Sequence, residues 1–127
     1  MRRKTLAAAL TLLALAGGVR SAQDELDADL MRSIEDANRG LASNIALKDG
    51  PGASADAKEL GEMFVQVEGY FVRKGDAHDA VDLSKKSREL SAEILRLIAD
   101  RNFDSATDAA TSLSRTCKTC HNFYKKS

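Results

Sequence analysis

Residues 26–45 read LDADLMRSIEDANRGLASNI, and this stretch identifies the kind of fold that the chain adopts. Its apolar side chains recur every three or four positions, at Leu26, Leu30, Ile34, Ala37, Leu41 and Ile45. An α-helix has about 3.6 residues per turn, so this spacing puts all six on one side of a helix. The pattern therefore predicts an amphipathic helix with one buried face.

Three more segments repeat the helical spacing. The second stripe is Leu60, Met63, Phe64, Val67 and Phe71, and the third is Leu83, Ser87, Leu90, Ile94, Leu97 and Ile98. The fourth is Ala106, Ala110, Leu113, Cys117, Cys120, His121 and Tyr124. No window of residues 22–127 alternates strictly between apolar and polar residues, so there is no strand signal. The sequence predicts an all-α fold, an antiparallel four-helix bundle with up-down-up-down connectivity.

Turn-forming residues separate the four stripes. Residues 48–52, Lys-Asp-Gly-Pro-Gly, are expected to end the first helix. The second should end near Gly75, with Asp76 or Asp79 capping the third. Residues 102–104 interrupt the third stripe, and Asp104 is the expected N-cap of the last helix.

The N-terminal segment has the organisation of a secretory signal peptide. Basic residues at positions 2–4 precede an uncharged stretch over 6–16, and small residues follow. A membrane anchor is the alternative, but the apolar stretch is shorter than the ~20 residues that span a bilayer. We expect residues 1–21 to be cleaved and residues 22–127 to be a periplasmic domain, peripheral to the membrane at most.

The charge of that domain excludes one class of partner. The chain has 19 basic and 19 acidic residues, and the leader contains four of the basic residues and no acid, so the remaining domain has a net charge of −4. Nucleic-acid binding depends mainly on basic residues that neutralise phosphates. An acidic domain without a polybasic run is therefore not expected to bind nucleic acid.

Both cysteines of the chain lie in one motif, Cys117-Lys118-Thr119-Cys120-His121. In an exported protein C-x-x-C-H is typical of covalent haem attachment, in which each thiol forms a thioether with a haem vinyl group and the histidine ligates the iron. Helical spacing puts Cys117, Cys120 and His121 on the same face as Leu113. The motif predicts one haem c on the C-terminal helix.

Two other interpretations of the motif compete with haem. A redox disulfide between Cys117 and Cys120 would be expected near a βαβ pattern, which this sequence does not contain. A zinc site needs three or four protein ligands, and the only other histidine is His78, in the polar link after the second stripe.

With a C-x-x-C-H motif almost at the end of a four-helix chain, the sequence resembles the class II c-type cytochromes, the cytochrome c′ and cytochrome c556 group. Tyr124 and Lys125 match the aromatic and basic pair that often follows the motif in this group. The resemblance implies a bundle that carries electrons. In class I cytochromes c the motif lies near the N-terminus instead.

In the low-spin members of this group a methionine of the first helix is the sixth iron ligand, so the resemblance implies such a ligand here. Met31 is the candidate, because it lies beside the apolar stripe, on a shoulder with Asp27 and Asn38. Met63 lies within its own stripe, which predicts core packing. Asp27 departs from the basic residue that cytochromes c′ often have one turn before the distal position. We expect an electron carrier, not an enzyme, with His121 and Met31 as axial ligands.

Two other functions remain open at this point. In one, the haem is five-coordinate and binds a small gas such as NO or CO, while Met31 only shields the pocket. A peroxidase is the other, but it needs a distal acid or base and only Asp27 lies near Met31.

Basic residues on the last helix indicate the expected partners. Arg115, Lys118, Lys125 and Lys126 lie away from the core stripe, where they form either an ordinary solvated face or a patch that attracts an acidic redox protein of the periplasm. Related cytochromes often pair through their first two helices, so the resemblance also allows a homodimer.

Overall fold

The computed structural model describes residues 26–124, which form four α-helices and no strands. The helices are α1 (Ala28–Ala46), α2 (Gly50–Lys74), α3 (His78–Ala99) and α4 (Phe103–Tyr124). Each helix packs on the next, and α4 also packs on α1. The predicted all-α four-helix bundle is confirmed. The predicted signal peptide, residues 1–21, and Lys125 and Lys126 lie outside the described residues.

Links of three residues join the helices and reverse the chain direction. Each link contains a residue in the left-handed region, namely Lys48 (φ 55°), Asp76 (φ 51°) or Arg101 (φ 56°), and Gly75 has φ 73°. A left-handed residue just after a helix ends its hydrogen-bonded ladder and redirects the chain. Links this short place consecutive helices side by side and antiparallel.

The helix starts differ in detail from the sequence-based expectations. Helix α2 begins at Gly50, so part of the predicted 48–52 break is helical, because proline is tolerated in the first helical turn. Asp49 caps α2 by accepting a hydrogen bond from the Gly52 amide at 3.0 Å. Asp27 caps α1 in the same way, accepting from the Asp29 amide at 2.9 Å.

Two predicted caps are wrong. The N-cap position of α3 is Ala77, which makes no side-chain cap hydrogen bond. Asp79 lies in the first turn instead, where its carboxylate interacts favourably with the positive end of the helix dipole. Helix α4 begins one residue before Asp104. The Oδ1 atom of Asn102 accepts from the Ser105 amide at 3.2 Å, so the cap lies two residues earlier than predicted.

The core follows most of the predicted stripe positions and contains many alanines, but the predicted Leu83 and Leu90 are only half-buried. Leu41, Leu60, Ile94 and Leu113 are its largest fully buried apolar residues. Helix α3 adds three buried serines, Ser84, Ser87 and Ser91. Each serine hydroxyl donates to the carbonyl four residues earlier, so the helix itself satisfies these groups.

Packing is tightest between α2 and α3 and loosest between α1 and α4. A Cβ placed on Gly61 of α2 would lie 3.8 Å from the Ser91 Cβ of α3, so the two backbones approach closely there. The Arg88 Nε donates to the Glu68 Oε2 at 3.0 Å across the same pair of helices. None of the helices in the described part of the chain has the length and apolar character needed to cross a membrane.

Candidate functional site

A cavity of about 630 Å³ lies at one end of the bundle. We call it the end cavity. It is enclosed by the N-terminal parts of α1 and α3 and the C-terminal parts of α2 and α4, which the antiparallel order brings together. Most of its lining is apolar, and the main apolar contributors are Leu26, Ile34, Phe64, Val67, Phe71 and Leu83. Its size falls within the ~300–1,000 Å³ range of small-molecule and cofactor sites.

All four residues predicted to bind haem line the end cavity. Cys117, Cys120 and His121 reach it from α4, and Met31 reaches it from α1. Met31 and both cysteines are half-buried, whereas His121 is exposed. The helical spacing predicts that His121 faces the interior of the bundle. It does line the cavity, but its side chain is exposed and not buried.

Burial suppresses ionisation of the two thiols. Burial, and to a lesser degree the neighbouring Cys120, raises the pKa of Cys117 from 9.0 to about 11. Burial likewise raises the pKa of Cys120. The two sulfurs are not bonded to each other. Reactive cysteines of disulfide oxidoreductases have lowered pKa values, so this environment does not resemble theirs.

The buried polar groups of the cavity wall are already hydrogen-bonded. The buried hydroxyls of Ser84 and Ser87 donate to carbonyls of their own helix, at 2.6 and 2.8 Å. The Asn38 Nδ2 donates to the Ser114 Oγ at 3.2 Å, which joins α1 to α4 across the cavity wall. No buried side-chain nitrogen or oxygen in residues 26–124 lacks a partner. The interior is therefore a site for a largely apolar group.

Three charged residues line the end cavity, and sequence reasoning did not identify two of them, Arg32 and Glu35, as part of the site. The third is Lys118, inside the motif. Glu35 lies one helical turn after Met31, a spacing that offered a signal for it. The carboxylate near Met31 in the cavity is therefore Glu35. Asp27, the predicted one, instead caps α1. The Arg39 Nη2 donates to the Glu35 Oε1 at 3.0 Å.

The remaining candidates do not line the end cavity. Met63 is buried in the core, as its stripe predicts. His78 is exposed, as expected, but it is the first residue of α3 and not part of a loop. In the part of the chain that the structure describes, no group of three or more His, Cys, Asp or Glu side chains is arranged to hold a metal ion. That result gives a zinc site no support.

Comparison of the chain with protein-family models, with curated proteins and with solved structures found no match in any of the three. The case for a function therefore depends on the end cavity and the residues that line it.

Proposed function

We propose that this protein is an exported, monohaem c-type cytochrome that carries single electrons between redox partners in the periplasm. One observation carries the proposal: both thiols of the C-x-x-C-H motif, its histidine and the predicted distal methionine line the same cavity. Met31 is 86 residues away from Cys117 in the sequence, so motif spacing alone does not bring them together.

The lining of the end cavity fits a covalently attached haem. Apolar side chains from all four helices match a porphyrin ring, and the neutral thiols of Cys117 and Cys120 are available to add across its vinyl groups. His121 provides an imidazole at the rim, the usual proximal ligand of c-type haem. When bound, haem supplies an iron that changes between the ferrous and ferric states.

Met31 determines which kind of cytochrome the site supports. A thioether is a soft ligand that stabilises ferrous iron and raises the reduction potential relative to a second imidazole. If Met31 and His121 both held the iron, the coordination would stay the same in both oxidation states. Little rearrangement then accompanies electron transfer, which suits a carrier and leaves no position for a substrate.

The proposed location and partners rest on the sequence. The predicted leader would export the chain, and the basic residues of α4 would face an acidic redox protein. Arg115 and Lys118 are exposed in the structure, on the same terminal part of α4 as the motif. A positive surface beside the haem would raise the rate of encounter with such a partner more than the final affinity.

Optical spectroscopy of the purified, exported protein tests the proposal. We expect a coloured protein whose mass exceeds that of the polypeptide by one haem, with a low-spin spectrum in both oxidation states. A colourless protein with the bare polypeptide mass would contradict haem attachment altogether.

A pair of methionine variants tests the distal ligand. Met31→Leu keeps the side-chain volume but removes the thioether, so it should convert the spectrum to high spin. Met63→Leu is the matched control, because Met63 is buried in the core away from the cavity, and its spectrum should stay low-spin. A low-spin spectrum in Met31→Leu would exclude Met31 as a ligand. Rapid, stoichiometric CO binding by the reduced wild type would favour the gas-binding alternative instead.

A further inference from the structure

The charges around the end cavity are unevenly distributed. Among residues 26–124, its lining includes two cationic side chains, Arg32 on α1 and Lys118 on α4, and one carboxylate, Glu35. The rest of the wall is largely apolar or consists of hydrogen-bonded polar groups. Within this lining, Arg32 and Lys118 are therefore the cations that could pair with an anionic substituent on a bound group.

Glu35 and Arg32 each already have an exposed partner on their own helix. The Glu35 carboxylate accepts a hydrogen bond from Arg39 one turn later. Arg32 is paired with Asp29 one turn earlier, and both side chains are highly exposed. Exposed pairs of this kind contribute little. A guanidinium has five N–H donors, so Arg32 can bind a second carboxylate without releasing Asp29.

The position of Lys118 separates the two cations. Lys118 lies between the two cysteines in the sequence, so thioether bonds at Cys117 and Cys120 would hold its backbone beside the vinyl-bearing side of the porphyrin. The two propionates of haem lie on the opposite side of the porphyrin from the vinyl groups. Arg32, on a different helix, is the cation that remains for them.

We propose that the Arg32 guanidinium binds a propionate carboxylate of the haem held in the end cavity, an assignment that rests on the proposed function. A planar guanidinium matches a carboxylate in two parallel hydrogen bonds, which favours arginine over lysine at such a site. The pair would neutralise a negative charge close to the iron. Neutralisation disfavours the ferric form, which carries the additional positive charge.

The test uses the exported protein with its haem attached and measures the reduction potential. In Arg32→Gln the equilibrium should shift about tenfold towards the ferric form, which is a potential about 59 mV lower. Arg32→Lys keeps the positive charge but loses the planar guanidinium that makes two parallel hydrogen bonds. The shift of the equilibrium towards the ferric form should therefore be smaller, about threefold. Arg96→Gln is the matched control, because Arg96 lies in the C-terminal part of α3, outside the cavity lining, and its Nη1 is 3.6 Å from the exposed Asp100 carboxylate; it should leave the ferrous–ferric equilibrium within about twofold of wild type.

The outcomes separate the two proposals. If wild type contains no haem, the proposed function fails and this assignment fails with it. If haem is attached and low-spin but Arg32→Gln matches Arg96→Gln in potential, only the assignment is overturned. A shift in Lys118→Gln as large as that in Arg32→Gln would also overturn it, because the effect would then come from the summed charge of the cavity and not from a specific pair.

Discussion

Replacing Gly61 with alanine should stabilise the protein. Gly61 lies inside α2, where the added Cβ would be 3.8 Å from the Ser91 Cβ, an ordinary van der Waals contact. In a helix interior alanine is more stable than glycine by about 1 kcal/mol, and no close contact at this site opposes that gain in stability. For a domain of this size, a gain of about 1 kcal/mol raises the melting temperature by about 4–8 °C.

Gly40→Ala is the matched control, because the substitution brings the same gain in helix propensity but its Cβ would contact Asp56 more closely. Its Cβ would lie 3.1 Å from the Asp56 Oδ2, and that oxygen is held in place by a 2.7 Å hydrogen bond from Asn44. We expect the close contact to offset the propensity gain, so stability should not rise. Urea unfolding followed by far-UV circular dichroism measures both variants in the same haem state. A lower midpoint for Gly61→Ala, or equal gains in both variants, would refute the packing argument.

Three further predictions concern a thiol, a cap and a surface. In chain prepared without haem, Cys117 at pH 8 should be alkylated ~100-fold more slowly than in urea, because burial raises its pKa from 9.0 to about 11. Because the Cys117 thiol ionises at a lower pH in the unfolded chain than in the folded one, the free energy of unfolding should also fall as the pH rises from 9.0 to about 11. Equal alkylation rates in the folded and unfolded chain would contradict the raised pKa and therefore both predictions. Asn102→Ala should destabilise the protein by about 1 kcal/mol in urea titrations, and Asp104→Ala by less, since Asn102 makes the cap hydrogen bond. Electron exchange with an acidic partner should slow as ionic strength rises, and stopped-flow rates that stay flat with salt would argue against the basic patch.

The sequence predicted the architecture because helical periodicity is a property of whole segments. The six apolar positions of the first stripe, five of them in α1, agree on one face, and an error at any one of them would not change the result. Helix starts depend on single residues and were less predictable. Asp104 and Asn102 are both good capping residues two positions apart, and only the structure shows which one accepts the amide hydrogen bond.

The candidate site was predictable where one helix carried the pattern and less so where several helices meet. Cys117, Cys120 and His121 are close together in sequence, and Met31 was found through a family resemblance. Arg32 was not anticipated, because its contribution to the cavity depends on how α1 faces the other helices. Ser87 was part of the predicted third stripe, but Ser84 and Ser91 were not, since their burial depends on carbonyls of their own helix that accept from their hydroxyls.

The loose contact between α1 and α4 has a consequence for how the molecule opens. The two halves of the candidate site lie on these two helices, and the Asn38 to Ser114 hydrogen bond is one of the few links across them. Without a bound group, local fluctuations should therefore separate α1 from α4 more readily than they separate α2 from α3. Amide hydrogens of α1 should exchange with solvent faster than those of α2 and α3, and a ligand that touches both Met31 and His121 would act as a brace that slows this exchange.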